Sequence, residues 1–115
     1  MNESQQLVRN RRLSLRRRPK VRIKVTCRKG SMDLGANLAV ALLDVSESGA
    51  SLLVKEAMPV NQEASVSLES PNHTRPLLRV GTVMWSLPTA GGGHCVGINF
   101  QKYLPYKDLH FLAGV

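Results

Sequence analysis

Two clusters of side chains in this chain have the types and spacing to hold a phosphate and a purine base. The first lies in the basic run Arg16-Arg17-Arg18-Pro19-Lys20-Val21-Arg22, which contains Arg18-x-x-x-Arg22. The second, a strand and a hairpin further on, is Asp44-Val45-Ser46-Glu47-Ser48-Gly49, an Asp-x-Ser-x-x-Gly. A guanidinium fork docks with two prongs on a phosphate or on the O6/N7 edge of guanine, while a carboxylate accepts from guanine's N–H groups. The two clusters are complementary tools for gripping a guanine nucleotide. They point to a nucleotide-sensing module and not to an enzyme.

Each cluster also has a plainer reading. Asp and Ser favour turns by bonding their own backbone, and Gly49 supplies a positive φ, so the second cluster is also what a simple hairpin turn requires. Arg-x-x-x-Arg is a weak match in so arginine-rich a run. The order and separation of the two raise the signal above either alone. Other chemistry is sparse. His73, His94 and His110 have no ligand spacing with Cys27 and Cys95, which argues against a structural metal. No Ser-His-Asp or paired-carboxylate arrangement emerges, so no catalytic residue and no cofactor is expected. The sequence leaves pairing of the two cysteines open, although a cytosolic location would keep both reduced.

Charge separates the chain into two parts. Residues 1–30 carry eleven Lys or Arg and one acid, Glu3, whereas residues 31–115 carry five basic and seven acidic side chains. The net charge of +8 therefore belongs to an N-terminal arm on a nearly neutral body. Such an arm stays solvated or meets an anion, because like charges repel; the bland version is a solubilising tail. At 115 residues, with 43% apolar and 4% aromatic content, the body is one domain whose core rests on Val, Leu, Ile and Ala. No apolar run approaches the ~20 residues that span a bilayer, and no apolar segment follows the basic N-terminus as in a secretory signal. The default expectation is a soluble, cytoplasmic protein, with a flexible arm over 1–15 and a folded domain over 16–115.

The elements that must position the clusters follow from the apolar period. Val21, Ile23, Val25 and Cys27 alternate with polar residues, the signature of a half-buried strand. Gly30 to Asn37 forms a turn, and Leu38 to Leu43 a strand ended by the Asp-x-Ser-x-x-Gly segment. Ala50, Leu52 and Val54 mark a third strand, broken at Met58-Pro59-Val60-Asn61. Ala64, Val66 and Leu68 mark a fourth, ended by Ser70-Pro71-Asn72-His73. Leu77 to Trp85 forms a longer strand whose apolar parity changes around Gly81, which predicts a bulge there. After a glycine-rich loop over Leu87 to Gly93, Val96, Ile98 and Phe100 make the sixth. Tyr103 to Leu112 closes the chain as a short helix with Leu104, Leu109 and Leu112 inward. Six short strands of this spacing make a small antiparallel barrel or sandwich.

With these motifs and elements in place, the chain resembles the PilZ domain family, bacterial receptors for the second messenger cyclic di-GMP. The resemblance covers roughly residues 16–112. It rests on the arginine motif before the first strand, Asp44-x-Ser46-x-x-Gly49, Gly81-x-Val83-x-Trp85 and Val96-Gly97-Ile98-x-Phe100. It implies an all-β, six-stranded antiparallel β-barrel with a short C-terminal α-helix and a flexible basic N-terminal arm. It also implies cyclic di-GMP as ligand, often held as an intercalated dimer. Arg18 and Arg22, helped by Arg17, would grip phosphates and guanine edges; Asp44 would accept from guanine N1–H and N2–H. Ser46 would add a hydroxyl contact, and Gly49 would admit close backbone approach. A shifted register would instead pair Arg16 with Lys20, which keeps the charge but loses one planar fork. Trp85 and Phe100 read as core or barrel-closing residues.

The implied mechanism is ordering: the ligand neutralises the arm and clamps it against the barrel, creating a surface for a downstream protein partner. Two rival readings stand beside it. One is a nucleic-acid binder using its basic arm, against which the slightly acidic, aromatic-poor body speaks. The other is a PilZ-like interaction adaptor that binds no nucleotide.

Overall fold

The computed structural model describes residues 23–71 and 75–113. Arg16, Arg17, Arg18, Lys20 and Arg22, and the expected boundary between residues 15 and 16, lie outside the described residues. The described chain forms β1 (Lys24–Lys29), β2 (Ala39–Val45), β3 (Gly49–Val54), β4 (Glu63–Glu69), β5 (Leu77–Pro88), β6 (His94–Phe100) and α1 (Tyr106–Ala113). All six strands belong to one antiparallel sheet in the order β1-β4-β5-β6-β3-β2. The sheet curls until its two edge strands meet, giving the nearly closed barrel that the strand pattern and the resemblance implied.

The edges meet through a backbone bond and one side chain. Leu38 N donates to Cys27 O at 2.8 Å, and Asn37 Oδ1 accepts from Cys27 N at 2.9 Å and Ala39 N at 3.0 Å. A single amide oxygen thus satisfies donors on both edge strands where a regular ladder would need another backbone carbonyl.

Alternation explains the core. Val25 and Cys27, then Ala50, Leu52 and Val54, then Ala64, Val66 and Leu68, then Val96, Ile98 and Phe100 all point inward and are buried. Each larger side chain contributes about 1.5–3 kcal/mol by leaving water. Met58, in a segment read only as a strand breaker, is fully buried and lies with its sulfur 3.8 Å from Cys27 Sγ. A long thioether on a loop can fill a gap in the core without showing any period. Both cysteines are free, and burial pushes the Cys27 thiol up to about 11, against a smaller opposing pull from Arg28.

Three expectations shift. β2 runs on to Val45, so Asp44 belongs to the strand and not to the turn after it. The helix begins at Tyr106 and not at Tyr103, with Leu104 buried ahead of it and Leu109 buried within it. The irregularity in β5 falls between Val83 and Trp85, while Gly81 keeps a regular register opposite Ala64 and Phe100. Among the described residues no helix is long and apolar enough to cross a membrane.

Candidate functional site

Whether Asp44 lies on the outer side of the sheet or in the core depends on a register slip. Directly opposed residues on neighbouring antiparallel strands share a face. Leu42 pairs with Leu52, which is fully buried, so strict alternation would send Asp44 inward as well. The pairing instead shifts between Leu42 and Asp44, leaving Leu43 as the extra residue. Asp44 then opposes Ser51 on the outer face, and Val45 opposes Ala50 in the core. A bulge that re-aims a side chain in this way is a common device beside functional sites.

The same register carries the row across the sheet. Ser51 opposes Gly97 on β6, and Gly97 opposes Trp85 on β5. Trp85 reaches the outer face through the second slip, which leaves Met84 as the extra residue and Val83 in the core. Two bulges therefore turn Asp44 and Trp85 outward onto one row, Asp44–Ser51–Gly97–Trp85. The indole lies flat over Gly97: a Cβ built there would fall 2.1 Å from Trp85 Nε1 and 2.3 Å from Cε2. Trp85, read as a core or barrel-closing residue, is half-buried on the outer side of the sheet, whereas Phe100 lies in the core. Sequence reasoning missed Ser51 and Gly97. The available signal was a glycine at an outward position of β6 across a hairpin from the single tryptophan, a pair in which the ring covers the bare backbone.

The turn after Asp44 is built from its own residues. Ser46 N donates to Gly49 O at 2.8 Å, and the Ser46 hydroxyl lies 3.4 Å from the same carbonyl and 3.3 Å from Ser48 Oγ. Ser46 is only 4% exposed. Phe100 N donates to Ser48 O and Leu104 N to Glu47 O, each at 2.8 Å, which ties the turn to the end of β6 and to the segment entering α1. Gly49 is not among the residues with positive φ, so the turn does not need it for that reason. It is required because β6 passes directly beneath: a Cβ would meet Ile98 O at 2.2 Å.

Cys95 is half-buried beside this row, facing outward from β6 next to Gly97. Burial raises its thiol pKa, and the negative charge of Asp44 raises it further. The carboxylate is therefore close enough to be felt at the thiol. Among the described residues no group of His, Cys, Asp and Glu could hold a metal ion.

The described chain begins where the arm must attach. Leu38, just before β2, bonds Cys27 of β1, and the alternating strand directions make β1 and β2 run opposite ways, so the start of β1, after Ile23, points toward the end of β2. Ile23 and Leu42 are partly buried against the core. The strand that follows Arg22 thus starts toward the end of the seam at which β2 carries Asp44.

No curated protein and no solved structure matches the chain significantly. The PilZ domain profile matches residues 10–110, which takes in the arginine run, the whole barrel and most of the helix. PilZ domains are receptor modules for cyclic di-GMP and not enzymes. By that match, over an all-β barrel of six antiparallel strands, the chain belongs to the PilZ domain family.

Proposed function

We propose that this protein is a cyclic di-GMP receptor that grips the nucleotide between its arginine arm and the outer face of β2 and β3, and signals by ordering that arm. One observation carries the reading: the β2 bulge turns Asp44 outward near the end of β2, and β1, which follows the arginine run, starts toward that same end of the β1–β2 seam. Asp44 accepts from guanine N1–H and N2–H, which selects guanine over adenine. Arg18 and Arg22, with Arg17, supply forks for phosphate oxygens and the O6/N7 edge. In the shifted register Arg16 and Lys20 take those places with one fork fewer. Ser46 and Gly49 hold the turn's shape, Ser46 from within and Gly49 by letting β6 pass beneath. Trp85, over Gly97, walls the far end of the row.

The charge pattern supplies the switch. An arm repelled by its own cations gains order when a dianion neutralises them, and the ordered arm offers a downstream protein a surface that the free form lacks. Calorimetric titration with cyclic di-GMP, GTP and cyclic di-AMP tests the reading. Saturable binding confined to cyclic di-GMP, lost in Arg22→Ala and weakened in Asp44→Ala, supports it. Equal, salt-sensitive binding of all polyanions would make the arm a nonspecific cation.

A further inference from the structure

Two outward rows flank the row that holds Asp44. On one side Ala41 opposes Leu53, Leu53 opposes Cys95 and Cys95 opposes Leu87, a row with no hydrogen-bonding side chain but a thiol. On the other, Gly49 opposes Asn99, Asn99 opposes Thr82 and Thr82 opposes Glu63. This second row lies toward the end of β2, the end toward which β1 starts. A ligand held at Asp44 therefore finds side-chain partners for a further polar edge on the Asn99 side and not on the other.

Residues two apart on a strand share a face, so Asn99 is the next outward residue of β6 after Gly97. It is exposed, whereas Thr82 is half-buried and Glu63 accepts from Gln101 Nε2 at 3.3 Å. Neither Asn99 nor Thr82 spends a side-chain hydrogen bond on another described residue. The plain reading is a solvated strand residue, although strands disfavour Asn. Its place argues for more. Gly49 opposite it carries no side chain, which leaves bare backbone between the amide and the turn that follows Asp44. Two strand spacings of ~4.8 Å and one two-residue step of ~6.8 Å separate Asp44 from Asn99, on the order of 12 Å between Cα atoms.

Resting on the proposed function, we infer that Asn99 takes the second base of the cyclic dinucleotide and accepts guanine and adenine alike, so that the site also binds a mixed cyclic dinucleotide of one guanine and one adenine. The chemistry of the two side chains sets this asymmetry. A carboxylate only accepts, so Asp44 pairs with guanine N1–H and N2–H and has no donor for adenine N1. An amide both donates and accepts. Against guanine, Asn99 Nδ2 donates to O6 while Oδ1 accepts from N1–H. Turned over by half a rotation, the same amide donates to adenine N1 and accepts from N6–H. One subsite is strict and its neighbour is tolerant.

Calorimetry of the full chain tests this with cyclic di-GMP, cyclic GMP–AMP of the same linkage and cyclic di-AMP, in wild type, Asn99→Asp and Asn99→Ala. Wild type should bind the mixed nucleotide within about tenfold of cyclic di-GMP, since either base makes two bonds to the amide, and should not bind cyclic di-AMP. Asn99→Asp should widen the preference for cyclic di-GMP over the mixed nucleotide by about fivefold or more, the lower end of what one two-pronged base contact is worth. Asn99→Ala should weaken both by the same factor. A merely structural role would not move that ratio. Wild type that binds cyclic di-GMP but rejects the mixed nucleotide as fully as cyclic di-AMP would overturn the tolerant subsite and leave the receptor assignment standing. An unchanged ratio in Asn99→Asp would do the same. Absence of cyclic di-GMP binding in wild type would refute the receptor assignment, and the subsite with it.

Discussion

Substituting Gly49 by alanine separates what the Asp-x-Ser-x-x-Gly motif does for the barrel from what it does for a ligand. The added Cβ would lie 2.2 Å from Ile98 O, a backbone atom of the neighbouring strand that cannot rotate away. Relief to ordinary contact requires β3 and β6 to part by on the order of 1 Å. That movement runs against two short bonds, Phe100 N to Ser48 O and Leu104 N to Glu47 O, both at 2.8 Å. Overpacking of this kind costs about 1–3 kcal/mol, and the loss of one backbone bond's worth of interaction adds roughly 0.5–1.5 kcal/mol. Gly49→Ala should therefore destabilise the ligand-free protein by about 2–4 kcal/mol, which for a domain of this size lowers the melting temperature by roughly 10–25 °C. Thermal unfolding followed by circular dichroism, with a urea titration to fix the slope, reads this directly. The reasoning is refuted if the ligand-free variant melts within a few degrees of wild type. In that event a loss of cyclic di-GMP binding by the variant would assign the glycine to the ligand alone.

Gly97→Ala makes an instructive contrast, because its Cβ would meet the Trp85 ring and not a backbone atom. A half-exposed ring can swing outward, so the stability cost should be well below that of Gly49→Ala while the emission of the chain's single tryptophan shifts to the red. Asp44→Asn removes the charge that adds to the raised pKa of Cys95, so at a fixed mildly alkaline pH the thiol should label faster than in wild type. An unchanged rate would mean that burial alone sets the shift. For Cys27 the sign is equally definite. Its folded pKa of about 11 exceeds the unfolded value of 9.0, so the stability it contributes is complete below pH 9 and is lost as pH rises toward 11. Cys27→Ala should flatten the fall in urea midpoint over that window, and an equally steep fall would place the cause elsewhere.

Much of the barrel was legible in the chain because β3, β4 and β6 are half-buried strands, whose inward residues recur at strict period two. Asn37 and Met58 left no trace, since bridging two edges with an amide and filling the core from a loop with a thioether are tertiary roles without a period. The orientation of the site was hidden for a different reason. Asp44 and Trp85 face outward only because Leu43 and Met84 are inserted into the pairing, and a bulge reverses the parity that alternation assigns. The carboxylate motif could thus be named from the sequence, but neither its place on the outer wall nor its partners Ser51 and Gly97 could be. Gly49 shows the converse: it was singled out for a positive φ that it does not have, and it is the backbone of β6 that a Cβ there would meet.

The central claim is that Asp44 reads guanine on the outer wall of the barrel. The most direct measurement is a calorimetric titration of cyclic di-GMP into wild type and Asp44→Ala, with the melting temperature of each ligand-free protein taken alongside. Removing one two-pronged base contact costs about 1–3 kcal/mol, or roughly 5- to 150-fold in affinity. The account predicts a weakening in that range or greater, with no gain of binding to cyclic di-AMP. Equal affinity in the two proteins would contradict it.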